Sequence, residues 1–370
     1  MAPRALRKIS PPPAASGEKR AFKPGKKARE RNCSVGRTVS ILCDSWSFLI
    51  LRECLFGARR FRTFQSILGL PRQTLAVRLK ELTRRGLLRQ VLYSTRPRRN
   101  EYRLTEMGID LYPLFLALLK FGDKWLAGRA GPPLQLFHEK CGSACNPVVA
   151  CLHCSGEIDV HRVSYRDGPG AGTSPLVRTR RNRRPSNPTH LERRRPCSVA
   201  RSLKIIGDYW SFMVIREAFF GVRRFDEIQQ KLGIAPNILA DRLNRLVAEG
   251  VFERKKYQDL PERFEYRLTE MGKGLYGPLI AMLAWGDRWL AVGKPPLILT
   301  HTDCGADFDP AVVCDRCRQP VQAREMRYEL HYPDPMSKKD RPARSARLVS
   351  LSRGRRARAG KAGGARRRAG

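Results

Sequence analysis

The chain has 370 residues and a formal net charge of +38, with 72 Lys and Arg against 34 Asp and Glu. Such a length normally holds two or three domains, and such a charge favours a polyanionic partner, with nucleic acid preferred over a membrane surface. No apolar run reaches the ~18 residues of a membrane span, and no apolar segment follows the basic N-terminus as in a secretory signal. These features predict a cytoplasmic protein without a membrane partner, in which the 11 cysteines are thiols or metal ligands rather than disulfides.

Three segments concentrate the basic charge. Residues 1–32 carry 10 basic and 2 acidic side chains, residues 161–196 carry 10 and 2, and residues 337–370 carry 13 and 1. All three are rich in Arg, Pro, Gly and Ala and bury too little apolar surface to offset chain entropy. We therefore predict that they are disordered, as two tails and a linker.

Between these segments the chain contains an internal repeat. "DSWSFLILRECLFGARRF" begins at Asp44 and "DYWSFMVIREAFFGVRRF" begins at Asp208, and 11 of the 18 positions are identical. In each copy an apolar-periodic helix that starts near Cys33 or Cys197 precedes this helix, and a short third helix follows it. A repeat of this length predicts two similar domains.

A fourth helix in each copy carries leucines at i, i+4 and i+7, namely Leu75, Leu79 and Leu82 in one copy and Leu239, Leu243 and Leu246 in the other. Two strand-like runs around an Arg- and Pro-rich tip come next. The octapeptide "EYRLTEMG" closes both hairpins, and an amphipathic helix ends each unit. This order of elements is that of a winged helix-turn-helix, in which a recognition helix enters the major groove and a hairpin wing lies along the backbone.

The repeat resembles the HxlR-type family of winged-helix transcriptional regulators. The residues that carry the resemblance are Cys33 or Cys197, "D-x-W-S-F", "R-E", "G-x-R-R-F" and "EYRLTEMG", and they cover about half of the chain. The resemblance implies operator DNA as the partner and dimerisation through terminal helices. Because this chain fuses two units, an intrachain pseudo-dimer is expected, with a further homodimer left open.

The predicted fold is mainly α with small β-hairpin wings, as two tandem winged helix-turn-helix domains, each with a short Cys/His-rich extension. The predicted boundaries are 1–32 for a tail, 33–130 for domain 1, 131–160 for its extension, 161–196 for a linker, 197–294 for domain 2, 295–332 for its extension and 333–370 for a tail.

The DNA-contacting residues are predicted from the helix face opposite the leucines, from the basic pairs before the third helix and from the wings. An ordinary solvated helix face is the alternative. The candidates in the first unit are Arg59, Arg60, Gln73, Thr74, Val77, Arg78, Lys80, Arg96, Arg98 and Arg99. Those in the second unit are Arg223, Arg224, Asn237, Ile238, Asp241, Arg242, Asn244 and Arg263.

Both extensions contain the pattern H-x2-C-G followed by C-x2-C. The candidate ligands are His138, Cys141, Cys151 and Cys154 in one and His301, Cys304, Cys314 and Cys317 in the other. Two chelating pairs of soft donors suit tetrahedral Zn²⁺, so we predict one closed structural site in each extension, with a thiol-rich loop as the alternative.

Cys33 and Cys197 occupy the position at which the family resemblance implies a redox or electrophile sensor. A buried, inert thiol is the competing interpretation. The chain lacks a glycine-rich phosphate loop, a nucleophile elbow and a carboxylate beside the predicted metal ligands, so no enzymatic activity is expected. An architectural, nucleoid-type protein that binds DNA mainly through its tails is the alternative to a sequence-specific regulator.

Overall fold

The structure, a computed structural model, describes residues 29–42, 45–128, 131–175, 195–291 and 293–336. The tails and the middle of the linker, which we predicted to be disordered, lie outside these residues at 1–28, 176–194 and 337–370. The elements of the first unit are β1 Arg29–Arg31, α1 Ser34–Leu42, α2 Ser45–Leu55, α3 Phe61–Leu68, α4 Arg72–Arg84, β2 Leu88–Thr95, β3 Arg98–Leu104, α5 Glu106–Ile109 and α6 Tyr112–Leu126. Its extension forms β4 Leu134–His138, β5 Ala144–Cys145, β6 Val148–Cys151, β7 Val163–Asp167 and β8 Thr173–Pro175.

The second unit repeats this order. Its elements are α7 Ser198–Ile206, α8 Tyr209–Phe219, α9 Phe225–Leu232, α10 Pro236–Ala248, β9 Phe252–Gln258, β10 Arg263–Leu268, α11 Glu270–Lys273 and α12 Tyr276–Leu290, followed by β11 Leu297–His301, β12 Pro310–Val313 and β13 Met326–Leu330. The predicted winged helix-turn-helix order is therefore confirmed in both copies. The strand content is higher than predicted because the extensions form strands rather than loops.

The leucine stripes of α4 and α10 are buried. Leu75, Leu79, Leu239, Leu243 and Leu246 are fully buried, and Leu82 is 1% exposed. Each buried leucine stabilises its unit by roughly 1.5–3 kcal/mol relative to an exposed side chain. Burial of this stripe directs the opposite face of each helix to the surface.

The repeated octapeptide fixes the junction between wing and last helix. Thr105 and Thr269 cap α5 and α11, because their hydroxyls accept hydrogen bonds from the amides of Gly108 and Gly272 at 3.2 and 3.0 Å. A Cβ on Gly108 would lie 2.3 Å from the carbonyl oxygen of Leu87. Only glycine lets the capped turn approach the strand so closely, which accounts for the "T-E-M-G" sequence in both copies.

The two units exchange their first helices. Helix α1 packs on α12 of the second unit, and α7 packs on α6 of the first unit. The hydroxyl of Thr38 donates to the carbonyl of Met282 at 3.0 Å, and that of Ser202 donates to the carbonyl of Leu118 at 2.8 Å. One hydrophobic core therefore runs through both units, and the two recognition helices belong to one packed body.

The extensions also cross between the units. Strand β4 pairs antiparallel with β13, β11 pairs with β7, and β6 pairs with β12 about a local two-fold relationship. This pairing corrects the predicted linker. Residues 163–167 form a strand in register with Leu297–His301, and Arg195 is 2% exposed, so the basic composition of 161–196 did not imply disorder along its whole length. Likewise, Arg29–Arg31 of the predicted tail pairs with Thr173–Pro175.

Candidate nucleic-acid interface and metal centres

The predicted contact faces of α4 and α10 lie at the surface. Gln73, Val77 and Lys80 are exposed on α4, and Asn237 and Asp241 are exposed on α10. Val77, the apolar member of the α4 face, is 53% exposed. Thr74, Arg78, Ile238 and Asn244 flank these faces and are half-buried. The two faces therefore present different chemistry, amide and aliphatic in one and amide and carboxylate in the other.

One predicted contact residue of the second unit is instead structural. Arg242 is 2% exposed, and its Nε donates to Oδ1 of Asp208 at 2.9 Å. The same carboxylate accepts from Arg245 at 2.6 Å through Oδ2. Arg242 is thus withdrawn as a DNA contact, because its guanidinium ties α10 to the start of α8. Asp241 keeps its place at the surface, with 67% of its side chain exposed, although it also pairs with Arg242.

Asp208 positions the arginines of α10 but was not among the residues predicted from the sequence. It caps α8 by accepting from the amides of Trp210 and Ser211 at 3.1 and 3.2 Å. Burial would raise the pKa of this carboxyl, but Arg242 and Arg245 hold it below its usual value. The available signal was the aspartate that opens both copies of "D-x-W-S-F"; its counterpart, Asp44, lies outside the described residues.

The basic pairs before α3 and α9 lie beside the wings. The backbone carbonyl of Arg59 accepts from the amide of Tyr102 at 2.7 Å, and that of Arg223 accepts from Tyr266 at 2.9 Å. The guanidinium of Arg60 stacks on Tyr93, with its Cζ 5.0 Å from the ring centroid, and that of Arg224 stacks on Tyr257 at 4.6 Å. Each pair thereby extends the basic surface of its wing toward the helix-turn-helix.

The two wings differ in charge. Arg96, Arg98 and Arg99 are all exposed at the tip of the β2–β3 hairpin. At the tip of the β9–β10 hairpin, Lys256 lies 2.8 Å from Asp259 and 3.3 Å from Glu262, while Arg263 is exposed. The first wing is strongly basic and the second is largely neutralised by its own acids.

The eight predicted metal ligands form two groups, but not the predicted ones. One group is His138, Cys141, Cys314 and Cys317, and the other is Cys151, Cys154, His301 and Cys304; within each group the ligand atoms all lie within 4.8 Å of one another. Each H-x2-C pair therefore meets the C-x2-C pair of the other extension. The prediction that each extension closes its own site is wrong, because strand exchange carries the pairs across the repeat. These groups could each hold a metal ion.

Backbone amides support several of these thiols. The amide of Gly156 donates to Sγ of Cys154 at 3.4 Å, and that of Arg316 donates to Sγ of Cys314 at 3.4 Å. Hydrogen bonds from the amides of Gly156 and Ser143 lower the pKa of Cys154 and Cys141, respectively. Cys145 lies near Cys314 but burial raises its pKa, so it is the least suited of these thiols to act as a ligand.

The two candidate sensor thiols are buried next to arginines of the opposite unit. Cys33 is 9% exposed and Cys197 is 3% exposed. Burial lowers the pKa of Arg216, but Cys33 and Glu217 raise it above the usual value. Cys197 and Glu53 raise the pKa of the equally buried Arg52 in the same way. Sensing by these thiols stays a prediction.

Comparison with known proteins gives the family. A family model described as HxlR-like helix-turn-helix matches residues 41–129 and 205–294. An HTH-type transcriptional regulator from Mycobacterium tuberculosis (strain CDC 1551 / Oshkosh) is 44% identical over 137 residues, which are 37% of this chain and 87% of the relative. The chain belongs to the HxlR-like helix-turn-helix family. A second relative, an HTH-type transcriptional regulator from Synechocystis sp., is 35% identical over 95 residues, which are 25% of the HxlR-like chain and 70% of the relative.

Two solved structures are also similar to the HxlR-like chain. A transcription factor from Pseudomonas aeruginosa is 40% identical, covers 29% of this chain and 74% of its own, and gives a TM-score of 0.24. The reduced form of the transcriptional regulator YodB from Bacillus subtilis is 29% identical, covers 26% of this chain and 94% of its own, and also gives a TM-score of 0.24.

Hydropathy adds one observation about the helices. Within the part of the chain that the structure describes, no helix is both long enough and apolar enough to cross a membrane.

Proposed function

We propose that this chain is a sequence-specific DNA-binding transcriptional regulator that reads two half-sites with a single polypeptide. The observation that carries the proposal is the exchange of α1 and α7 between two HxlR-like units. This exchange gives one chain the two recognition helices that a homodimer would supply. Relatives named transcriptional regulators support the same function.

The two half-sites should differ in sequence. On α4, Gln73 can pair with adenine and Val77 can contact a thymine methyl group. On α10, Asn237 suits adenine, whereas Asp241 repels phosphate and accepts from the cytosine amino group. A homodimer of identical units reads a palindrome, but these unlike faces favour an asymmetric operator.

The wings and basic pairs should hold the phosphate backbone. Arg59, Arg60, Arg96, Arg98 and Arg99 would do so in the first unit. Arg223, Arg224 and Arg263 would do so in the second, with weaker attraction because Lys256 is neutralised. Phosphate contacts set affinity and register, while the helix faces set sequence preference.

Zn²⁺ is the metal that suits the two Cys/His groups, with a structural role. Each group offers three thiols and one imidazole, a donor set that zinc binds tetrahedrally without an open position for catalysis. Metal analysis of freshly purified protein should find about two zinc ions per chain. A content well below one would contradict this assignment.

Selection of binding sites from random DNA tests the regulator. We expect an asymmetric site with unlike halves that binds one chain. A perfect palindrome that binds two chains would overturn the pseudo-dimer. Absence of any enriched sequence, with affinity that disappears at high salt, would favour the architectural alternative.

A further inference from the structure

We infer that each Cys/His group binds one zinc ion that cross-links the first repeat to the second, so that the metal ions lock the pseudo-dimer together. This inference deepens the proposed function. Only the expected effect of the metal ions on DNA binding rests on that function. The partition of ligands is its central feature. His138 and Cys141 come from the first extension, whereas Cys314 and Cys317 come from the second.

The interatomic distances in this first group match a tetrahedral zinc site. Zn–S bonds of about 2.3 Å and Zn–N bonds of about 2.0–2.1 Å place two sulfurs about 3.8 Å apart and a sulfur and a nitrogen about 3.6 Å apart. Sγ of Cys141 lies 3.9 Å from Sγ of Cys314. Nδ1 of His138 lies 3.5 Å from Sγ of Cys141 and 3.2 Å from Sγ of Cys317.

The second group repeats this geometry with the roles of the repeats reversed. Nδ1 of His301 lies 3.5 Å from Sγ of Cys304 and 3.2 Å from Sγ of Cys154. In both groups the short contact joins the histidine of one repeat to the last cysteine of the other. Both sites of the pseudo-symmetric pair therefore bring three thiols and one imidazole together with the same contacts.

The C-x2-C turns have matching backbones. Ser155 and Arg318, which follow the last cysteine of each turn, have φ values of 61° and 60°. The left-handed conformation is unfavourable for residues with a Cβ and needs support from its surroundings. Here the amides of Ser155 and Arg318 donate to the carbonyls of Cys151 and Cys314 at 2.8 and 3.0 Å, and the closed turn directs two thiols to the same side.

The histidines are placed to act through Nδ1. Both rings are fully buried, and Nε2 of each lacks a hydrogen-bond partner among the described residues. Contrary to the expectation from the sequence, carboxylates lie near these ligands: Nε2 of His138 is 3.9 Å from Glu325 of the opposite repeat, and that of His301 is 3.8 Å from Asp303. These distances are too long for hydrogen bonds, so each ring is held by its burial and by the contacts of its Nδ1 with two thiols.

Strand pairing explains why the ligands cross. Strand β4 ends at His138, and β11 ends at His301. In the register of β4 with β13, His138 lies opposite Met326, and in that of β11 with β7, His301 lies opposite Val163. Backbone pairing thus holds each H-x2-C pair against the other repeat, and one ion would bridge two segments that are far apart in sequence.

Two double variants of the full chain test the partition. Cys141→Ser with Cys317→Ser removes two ligands of one shared group, and we expect about one zinc ion per chain to remain. Cys141→Ser with Cys154→Ser removes one ligand from each shared group, and we expect zinc content to fall toward zero. Cys145→Ser is the control and should retain about two ions.

Zinc content, and the Co²⁺ charge-transfer and d–d absorption of the reconstituted chain, provide the readouts. Sites closed within each extension would reverse the result, with one ion retained by the Cys141/Cys154 variant. That reversal would overturn the inference, as would equal zinc content in the two double variants or no zinc in the unaltered chain.

The same proteins separate this inference from the proposed function. Metal partition does not depend on DNA, so the expected zinc pattern without operator binding would reject the regulator alone. Conversely, operator binding by a chain that shows the reversed pattern would reject the shared sites alone. If both hold, chelation of zinc should lower the unfolding midpoint and reduce operator binding together.

Discussion

Nε of Arg242 lies 2.9 Å from Oδ1 of Asp208, and both residues are 2% exposed. The pair joins the recognition helix α10 to the start of α8, and Arg245 reaches the same carboxylate. A buried ion pair of this kind is costly to break, because removal of one partner leaves the other charged and without compensation.

Asp208→Ala should therefore lower the free energy of unfolding by about 3–5 kcal/mol. The pKa of Asp208 is held below its usual value, so its contribution is present at neutral pH and is lost as pH falls through the lowered pKa. Urea unfolding at pH 7 and at acidic pH measures both effects. Asp241→Ala is the matched control, since it leaves Arg242 paired with Asp208, and a similar loss in both variants would contradict the assignment.

The asymmetry of the half-sites can be tested by one substitution on that same helix. Asp241→Ala should relax base preference in only one half of the selected operator, by about 1–3 kcal/mol. Affinities for single-base variants across both halves measure this change. Gln73→Ala provides the reciprocal control in the other half. Relaxation of both halves by either substitution would contradict the assignment of one helix to each half-site.

The charge difference between the wings predicts different salt dependence. Arg98→Ala should flatten the dependence of log affinity on log salt by about 0.9, the contribution of one lost phosphate contact. Arg263→Ala, on the wing whose Lys256 pairs with Asp259, should flatten it by clearly less than about 0.9. Titrations of operator DNA over a range of salt concentrations compare the two, and equal slopes would refute the difference.

The exchanged helices approach each other at a glycine. A Cβ on Gly286 would lie 2.5 Å from the carbonyl oxygen of Ser34, so Gly286→Ala must separate α12 from α1 and should cost about 1–3 kcal/mol of stability. Gly36→Ala is the matched control, because its Cβ would meet only side chains at ordinary contact distance, Met213 at 3.5 Å and Arg216 at 3.8 Å. That change should be neutral or stabilising by up to about 1 kcal/mol through helix propensity. Denaturant unfolding compares them, and equal tolerance would contradict the close approach.

Two carboxyls in this interface give a pH dependence. Burial raises the pKa of both Asp123 and Asp287 to about 6. Their folded-state pKa exceeds the unfolded value, so they stabilise the fold at low pH, and this stabilisation is lost as pH rises from about 4 to 6.

Asp287→Asn and Asp123→Asn should each raise the free energy of unfolding at pH 7, because each removes a carboxylate that burial destabilises. Since the carboxyls are partly exposed to solvent, the expected gain is limited to about 1–2 kcal/mol. The gain should shrink below pH 5. The difference in unfolding free energy between each variant and the unaltered chain, measured by urea unfolding over pH 4.5–7.5, isolates this effect. A gain that grows as pH falls would reverse the predicted sign.

The sequence was sufficient for local structure within each unit. Leucine periodicity predicted the buried stripe of α4, whereas the Thr105 cap and the close approach of Gly108 to Leu87 are visible only in the structure. Arg242 lies at the edge of the equivalent leucine stripe of α10, where spacing alone does not distinguish a surface residue from one that faces Asp208. The partner that decides its role is 34 residues away and on another helix.

Residue spacing in the sequence did not predict the contacts between the two repeats. Spacing grouped His138 with Cys151 and Cys154, because chelating pairs that are close in sequence usually close one site. Strand exchange grouped it with Cys314 and Cys317 instead. The prediction of a disordered linker at 161–196 was wrong for the same reason. The basic residues around Val163–Asp167 gave no indication that this segment pairs with the strand Leu297–His301.

Fusion of two exchanged units removes a constraint that every homodimer bears. In a symmetric pair each substitution occurs twice, so any change at the interface must suit both of its copies. Here Arg195 is buried against Glu53 at 2.8 Å, while Arg31, its counterpart, is exposed and pairs with Asp167. Cys145 likewise stands where the second repeat has Phe308. One unit can therefore change its DNA sequence preference or its interior while the other unit keeps the assembly intact. Two units in a single polypeptide can diverge in this way, whereas the identical subunits of a homodimer cannot.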